Sequence, residues 1–365
     1  MKKRNQVYTI LTTLICIISG CNFFNKNSNP ETGESSEIDY AISNTDSVIN
    51  LQFYNGRVNE LKVEAILLNQ KAVKFQLASD DLVLIKNDTL LLGKNEFVFI
   101  YTKENKTDSI KKSYFNLLNM DFVVANNFAH NRTYFTEGLF YDNDGNLVES
   151  TGLENNSKIL FYNNQANGFK VKDSIVNAGN EFGEGVSIFN NQMIQLLWKN
   201  KYLKLYNTSN HQLIRNMGYD SEGWGLCTNG SNLYASNGTH QINVLDITGN
   251  FVKVTRTINV QDENGPVQYL NELEWIEGYI YANVWQTNFI YIIDPTTGDV
   301  VSKLDLGILI DREKKQSDYI DVLNGIAWNK NKRTLLVTGK YWQNFYELKL
   351  NKELSKTTNA PVQIP

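Results

Sequence analysis

FGEG at residues 182–185 follows FTEG at 135–138 by 47 residues, and SEGWGL (221–226), LNELEW (270–275) and LNGIAW (323–328) continue the series. An acid or amide at or beside glycine or leucine, each time leading into a β-rich run, marks five units. With Glu137, Glu184, Glu222, Glu272 and Asn324 as markers the spacings are 47, 38, 50 and 52 residues, close to the period of a four-stranded propeller blade. Behind each marker one plan recurs: a turn and strand (GNLVESTG, NQMIQLLWK, SNLYASNG, GYIYANVW, RTLLVTGK), a break, and a second strand (KILFYN, LKLYNTS, INVLDIT, IYIIDPTTG, FYELKL). Alternation and aromatic content read as strand, and no stretch keeps apolar residues at i, i+3, i+4 and i+7 over several turns. The expected fold class is all-β, with a five-bladed β-propeller over 119–352. DFVVANNF (121–128) is expected to add an outer strand to the last blade, since closing the ring removes exposed sheet edges.

Ahead of the repeats, 37–118 carries short β-rich runs, SVINLQFY, LKVEAILL, VKFQLA, LVLI, TLLLG and EFVFIYT, separated by Asn, Asp, Gly and Lys turns. Six or seven such strands suit a small β-sandwich of immunoglobulin-like type. The stretch gathers no His, Cys or acidic cluster, so it reads as a spacer or docking module, with binding to a surface glycan or partner as the alternative. The tail is 353–365.

The 365 residues are 42% hydrophobic and 20% charged, a globular composition rather than a disordered or fibrous one. MKKRNQVYTILTTLICIISGC (1–21) opens with Lys2, Lys3 and Arg4 and runs apolar from Val7 to Ile18, short for a bilayer span and patterned as an export signal. Its end, Ile18-Ser19-Gly20-Cys21, resembles the lipobox of bacterial lipoproteins. That resemblance implies removal of 1–20, lipidation of Cys21, and an exported protein anchored to a membrane, facing the periplasm or the cell surface. An ordinary cleaved signal with a free Cys21 is the alternative. NKNSNPETGESSE is too poor in apolar residues to fold alone, so 21–36 reads as a flexible tether. With Cys16 removed and Cys21 acylated, Cys227 is left alone and no intramolecular disulfide is expected. A net charge of −4, without a Lys/Arg stripe interleaved with aromatics, argues against a nucleic-acid partner.

In a propeller the innermost strands line a central channel and their adjoining loops converge at one mouth, so the repeated motif gathers carboxylates about an axis. The competing reading is that the Glu-Gly pairs only make turns. A second set weighs against it: the strand closing each unit ends at Trp198, Asn237, Trp285 or Lys340, 13 to 16 positions after its marker. Trp224 inside SEGWG adds an indole and Asn271 stands beside Glu272. Indoles recurring at equivalent repeat positions beside acids and a lysine are hard to explain as packing alone, because a buried indole still needs a partner for its N–H. They predict a small pocket with aromatic walls.

FTEGLFYDNDGNLVESTGL, FGEGVSIFNNQMIQLLWK, SEGWGL, LNELEWIEGYIYANVWQTNFIYIIDPTTG and DVLNGIAWNKNKRTLLVTGKYW resemble, in order and at fitting separations, the plant-type glutaminyl-peptide cyclotransferases, or glutamine cyclotransferases, over roughly 122 to 350. The resemblance implies a five-bladed propeller that converts the N-terminal glutamine of peptides or proteins to pyroglutamate with loss of ammonia, without cofactor or catalytic metal. It implies Glu184 as the catalytic acid, and Phe135, Phe182, Trp198, Trp224, Asn271, Trp285 and Lys340 as the rest of the site. On chemical grounds Glu184 would carry the proton between amine and leaving nitrogen, Lys340 and Asn271 would polarise the carboxamide, and the aromatics would fold the glutamyl chain for closure. Plant members usually carry glutamine where this chain has Glu137. That second carboxylate is expected either to anchor the substrate ammonium or to push the pKa of Glu184 up by repulsion. The protein is expected to act as a monomer.

Two other readings compete. One is a lipid-anchored propeller that binds proteins or peptides without catalysis, since the fold alone does not decide between trades. The other, a lactonase or sugar dehydrogenase, would need metal ligands or a quinone site, and His130, His211 and His240 have no partner at metal-ligand spacing.

Overall fold

The computed structural model describes residues 38–356, except 46, 55–57, 89, 166 and 167, together with the backbone of 362–363. The export signal, Cys21 and the tether lie outside the described residues. The chain is all-β with one α-helix among the described residues, and it divides after Asn116 into two compact units.

The first unit holds two four-stranded antiparallel sheets. One runs Tyr40–Asn44, Val48–Phe53, Leu82–Lys86, Phe75–Leu77, and the other Lys71–Ala72, Lys62–Leu68, Gly93–Lys103, Lys106–Asn116. Period-two patterning builds its core: in VINLQF the residues Ile49, Leu51 and Phe53 face inward, and in GKNEFVFIYTK so do Phe97, Phe99 and Tyr101. Each such side chain contributes about 1.5–3 kcal/mol on burial. Of TLLLG, expected as a strand, residues 90–92 form instead a loop leading to the strand that starts at Gly93. The buried Asn95 carboxamide explains it, accepting from Leu91 N at 2.9 Å and donating to Leu91 O at 2.8 Å, so the loop backbone is satisfied without a strand partner.

The second unit holds five sheets of four consecutive or nearly consecutive strands. Their first strands are Thr136–Tyr141, Gly183–Phe189, Leu226–Thr228, Leu270–Ile276 and Leu323–Asn329. Each first strand packs beside the next, and the fifth returns to the first. Phe122–Ala129 pairs antiparallel with Asn344–Leu350, making it the outer strand of the fifth sheet, and Leu118–Asn119 adds a short parallel edge to the fourth. Because sheets are covered on both faces, second strands such as Leu147–Thr151 are buried throughout, whereas outermost strands such as Lys253–Asn259 are mostly exposed. The core lies between neighbouring sheets: Phe140, Val148 and Ile159 against Val186 and Met193, then Ile194, Leu196 and Leu203 against Leu226 and Leu233.

The recurring glycine serves this packing. A Cβ at Gly185 would fall 2.5 Å from Leu226 N, and one at Gly225 would strike Asn271 O, so adjacent first strands approach too closely for any side chain there. Each of four first strands also breaks register against its partner, between Thr136 and Gly138, Gly183 and Val186, Leu270 and Leu273, and Leu323 and Ile326. Such bulges bend the strand and re-aim the residues within them.

The helix, Gly307–Gln316, is the element that the apolar pattern does not announce. Its buried positions are Leu309 and Glu313, one turn apart, so an acid occupies half of the inward stripe. Glu313 is satisfied there by Gln343 N, Asn344 Nδ2 and Tyr346 OH, each at 2.7 Å.

Candidate active site

The bulges align the repeats. Taking register from the pairs Val186 with Gln195, Leu226 with Ala235, Leu273 with Ala282 and Ile326 with Val337, the positions equivalent to Glu184 are Glu137, Trp224, Asn271 and Asn324. Two of the five markers chosen from the sequence are therefore out of register. Glu222 stands two places earlier, where other repeats carry Phe135, Phe182 and Tyr269. Glu272 stands one place later, where they carry Gly138, Gly185, Gly225 and Gly325.

Glu137 and Glu184 are adjacent, buried and hydrogen-bonded to each other. Glu137 Oε1 lies 2.7 Å from Lys340 Nζ, and its Oε2 accepts from Asn324 Nδ2 at 3.0 Å. Lys340 is itself buried and its ammonium lies 4.4 Å from the centre of the Phe135 ring. Burial pushes both carboxyls above the ordinary range; at Glu137 the lysine opposes the shift, while at Glu184 the Glu137 charge adds to it. Burial therefore favours a proton held between the two carboxyls, and the Lys340 ammonium is hydrogen-bonded to Glu137.

Aromatic rings extend from this cluster. Phe135 meets Phe182 edge-on at 6.1 Å, and Phe182 meets Trp198 at 5.4 Å. Trp224 and Trp285 are perpendicular at 6.2 Å, and Tyr269 packs on Trp285 at 5.7 Å. Trp198 and Trp224 both donate their indole N–H to Glu222 Oε2, at 3.1 and 3.2 Å. Tyr341 touches Phe135 at 5.1 Å and Tyr319 at 5.1 Å. Backbone bonds from Trp198 N to Phe182 O, Trp285 N to Tyr269 O, Lys340 N to Val322 O and Gly152 N to Phe135 O mark one position in four repeats. The first repeat has glycine there because a Cβ at Gly152 would strike the Phe182 ring and lie 2.9 Å from Glu137 Cγ.

Of the residues expected from the sequence, Phe135, Glu137, Phe182, Glu184, Trp198 and Lys340 are joined by the contacts above, and Trp224 joins them through Glu222. Trp285 follows through Trp224. Asn271 occupies the equivalent bulge of the fourth repeat and is buried, with its Oδ1 unpartnered among the described residues. Asn237 takes no part: its Oδ1 accepts from Thr239 N and Oγ1, at 3.2 and 2.6 Å, in a local turn. Glu272 turns into the interior, accepts from Leu139 N at 3.3 Å, and leaves Oε2 unpartnered. Sequence reasoning missed Gly152, Asn324, Tyr269, Tyr341 and the indole-bridging role of Glu222. A repeat alignment anchored on the bulge rather than on the letters EG would have flagged the first three.

Two surface hollows lie elsewhere, one lined by His240, Arg256, Asn259 and Gln261 and another by Phe122, Val124, Ile308 and Arg312. Among the described residues no three His, Cys, Asp or Glu side chains are grouped to hold a metal ion.

A family model described as glutamine cyclotransferase matches residues 98–350. A glutaminyl-peptide cyclotransferase of Arabidopsis thaliana is 34% identical over 245 residues, covering 66% of this chain and 74% of that protein. The crystal structure of Myxococcus xanthus glutaminyl cyclase matches with a TM-score of 0.59 at 28% identity, covering 64% of this chain and 98% of that one.

Proposed function

Because the chain belongs to the glutamine cyclotransferase family, we propose that it is a glutaminyl-peptide cyclotransferase, an aminoacyltransferase that closes N-terminal glutamine of peptides or proteins to pyroglutamate and releases ammonia. The observation that carries this reading is the buried cluster in which Glu184 abuts Glu137, itself held by Lys340 at 2.7 Å.

The α-nitrogen attacks the side-chain carboxamide carbon, a C–N bond forms, the bond to the carboxamide nitrogen breaks, and that nitrogen leaves as ammonia. In the tetrahedral adduct between these two events, attacking and leaving nitrogens are bonded to one carbon, within the span of a single carboxyl group. Glu184 gives its proton to the leaving nitrogen while its other oxygen receives one from the attacking nitrogen, so one acid serves both transfers. Such general acid–base assistance is worth about 10²–10⁴-fold. Glu137 keeps that proton in place. One N–H of the Lys340 ammonium serves Glu137, and the others suit the oxygen where charge develops. Asn271 offers an unpartnered acceptor, which suits an N–H of the substrate rather than its oxygen. The aromatic rings fold the glutamyl chain toward closure.

The closed cycle of first strands supports a five-bladed propeller for the second unit. Numbered in chain order from Tyr40–Asn44 to Lys106–Asn116, the eight strands of the first unit run 1-2-6-5 and 4-3-7-8, which supports an immunoglobulin-like sandwich. Anchoring through a lipid on Cys21, with export to the periplasm or cell surface, completes the reading and rests on the sequence alone.

Incubation of the protein with a glutaminyl dipeptide, following ammonia release and the cyclised product, tests it. Turnover is expected, and Glu184→Gln should lower kcat by about 10²–10⁴-fold. No release by the wild type would leave the lipid-anchored binding scaffold; full activity in Glu184→Gln would remove the assigned acid.

A further inference from the structure

Glu222 is the charged exception at a position that is aromatic in the first, second and fourth repeats, as Phe135, Phe182 and Tyr269. Its Oε2 receives both the Trp198 and the Trp224 indole N–H. Its Oε1 has no hydrogen-bond or ion-pair partner among the described residues, and the side chain is only partly buried. Its charge is felt at Glu184, so it lies in the same electrostatic neighbourhood.

A free N-terminus brings a cation into the site, and the carboxyls there are unequally able to meet it. Glu137 has both oxygens engaged, by Lys340 and Asn324. Glu184 abuts Glu137, and burial disfavours its charged form. Asp321 stands exposed, with Oδ1 accepting from its neighbour Val322 N at 2.7 Å. Glu222 alone combines a fixed orientation, a free oxygen and flanking indole rings. Two indole donors on one oxygen hold the carboxylate still and leave the other oxygen directed.

We infer that Glu222 is the seat of the substrate's α-nitrogen, so that the site selects peptides with a free N-terminal amine. This rests on the cyclotransferase reading. The nitrogen arrives as ammonium, releases one proton to solvent and attacks as free amine; both forms donate N–H to Oε1, so the anchor survives loss of the proton. Glu222 thus fixes the α-nitrogen end of the glutamyl unit, and Glu184 exchanges protons with both nitrogens once the carboxamide closes on that end.

Glu222→Gln keeps an oxygen for the two indoles but removes the charge. With a glutaminyl dipeptide amide, KM should rise about 10- to 100-fold, the loss expected for a charged hydrogen bond, while kcat changes less than about threefold and tryptophan emission stays unshifted. Wild-type KM in this variant would overturn the inference and leave Glu222 as an indole brace only. Calorimetry in the Glu184→Gln background supplies a readout that needs no turnover. The free-amine peptide should bind more tightly than its N-acetyl form, and adding Glu222→Gln should erase the difference. Equal affinity for the two peptides with Glu222 present overturns the inference whether or not ammonia is released. A Glu222-dependent preference without ammonia release would sustain it as recognition of free N-termini while removing the cyclotransferase reading.

Discussion

Glu149 and Glu184 are both buried acids of the second unit, one on the second strand of its first sheet and the other on the first strand of its second sheet. Glu149 accepts from Thr136 Oγ1 at 2.7 Å, His130 Nε2 at 3.0 Å and Tyr162 OH at 2.5 Å. Burial opposes its charge, but His130 and the hydroxyl donors outweigh burial and hold the carboxyl below the ordinary range. Glu184 has a second acid for its neighbour and is pushed the other way. Burial alone therefore says nothing about role. A carboxylate ringed by donors ties His130, which follows the Phe122–Ala129 strand, to the first sheet, whereas an acid left protonated beside a like charge is poised for proton transfer.

The comparison breaks most visibly at Glu149. Glu149→Ala strands His130, Thr136 and Tyr162 without their buried partner, and chemical denaturation should show a loss of about 3–5 kcal/mol. The depressed pKa means that this contribution is present above the ordinary carboxylate range and is lost as pH falls through the folded value. Turnover per folded molecule should be retained; a stable but inactive variant would erase the distinction between the two acids.

Glu137→Gln sharpens it. The acid form of Glu184 is lost as pH rises through its folded constant, and the Glu137 charge raises that constant. Removing the charge should move the alkaline limb of the kcat profile to lower pH. An unmoved limb with an unchanged KM would take Glu137 out of the chemistry.

Glu272→Gln should have the smallest effect on turnover. Burial raises Glu272 well above 4.5, with Glu274 adding repulsion, and nothing described meets its Oε2. A raised carboxyl stabilises fully below its unfolded value and loses that contribution as pH rises toward the folded one. The variant should match wild type in melting temperature near pH 4 and gain on it above that, by up to about 1.4 kcal/mol per pH unit. A difference independent of pH would mean that Glu272 is ionised in the folded protein.

Much of the fold was legible because sheets covered on both faces need long apolar strands, and turns between them need Gly, Asn and Asp; NQMIQLLWK and GYIYANVW announce themselves. The Gly307–Gln316 helix did not, since Glu313 stands where an apolar residue would have revealed it. Nor did the loop at Leu91, whose partner is a side chain rather than a strand. At the site, Glu184, Lys340 and the tryptophans were readable as recurring residue types. Glu222 and Glu272 were misregistered because the letters EG repeat while the structural position does not: in the third repeat Trp224 takes the place of the acid, and in the fourth Glu272 takes the place of the glycine.

Residue order alone determined that this chain makes strands in five similar units, because side-chain alternation and turn chemistry act over a few neighbours. It also dictated where close approach was needed, by placing Gly185 and Gly225. Which acid keeps its proton was decided only when Glu137, Glu184 and Lys340, remote along the chain, were brought together out of water. Protonation answers to desolvation and to charges a few ångströms away in space, and neither is a property of a stretch of sequence.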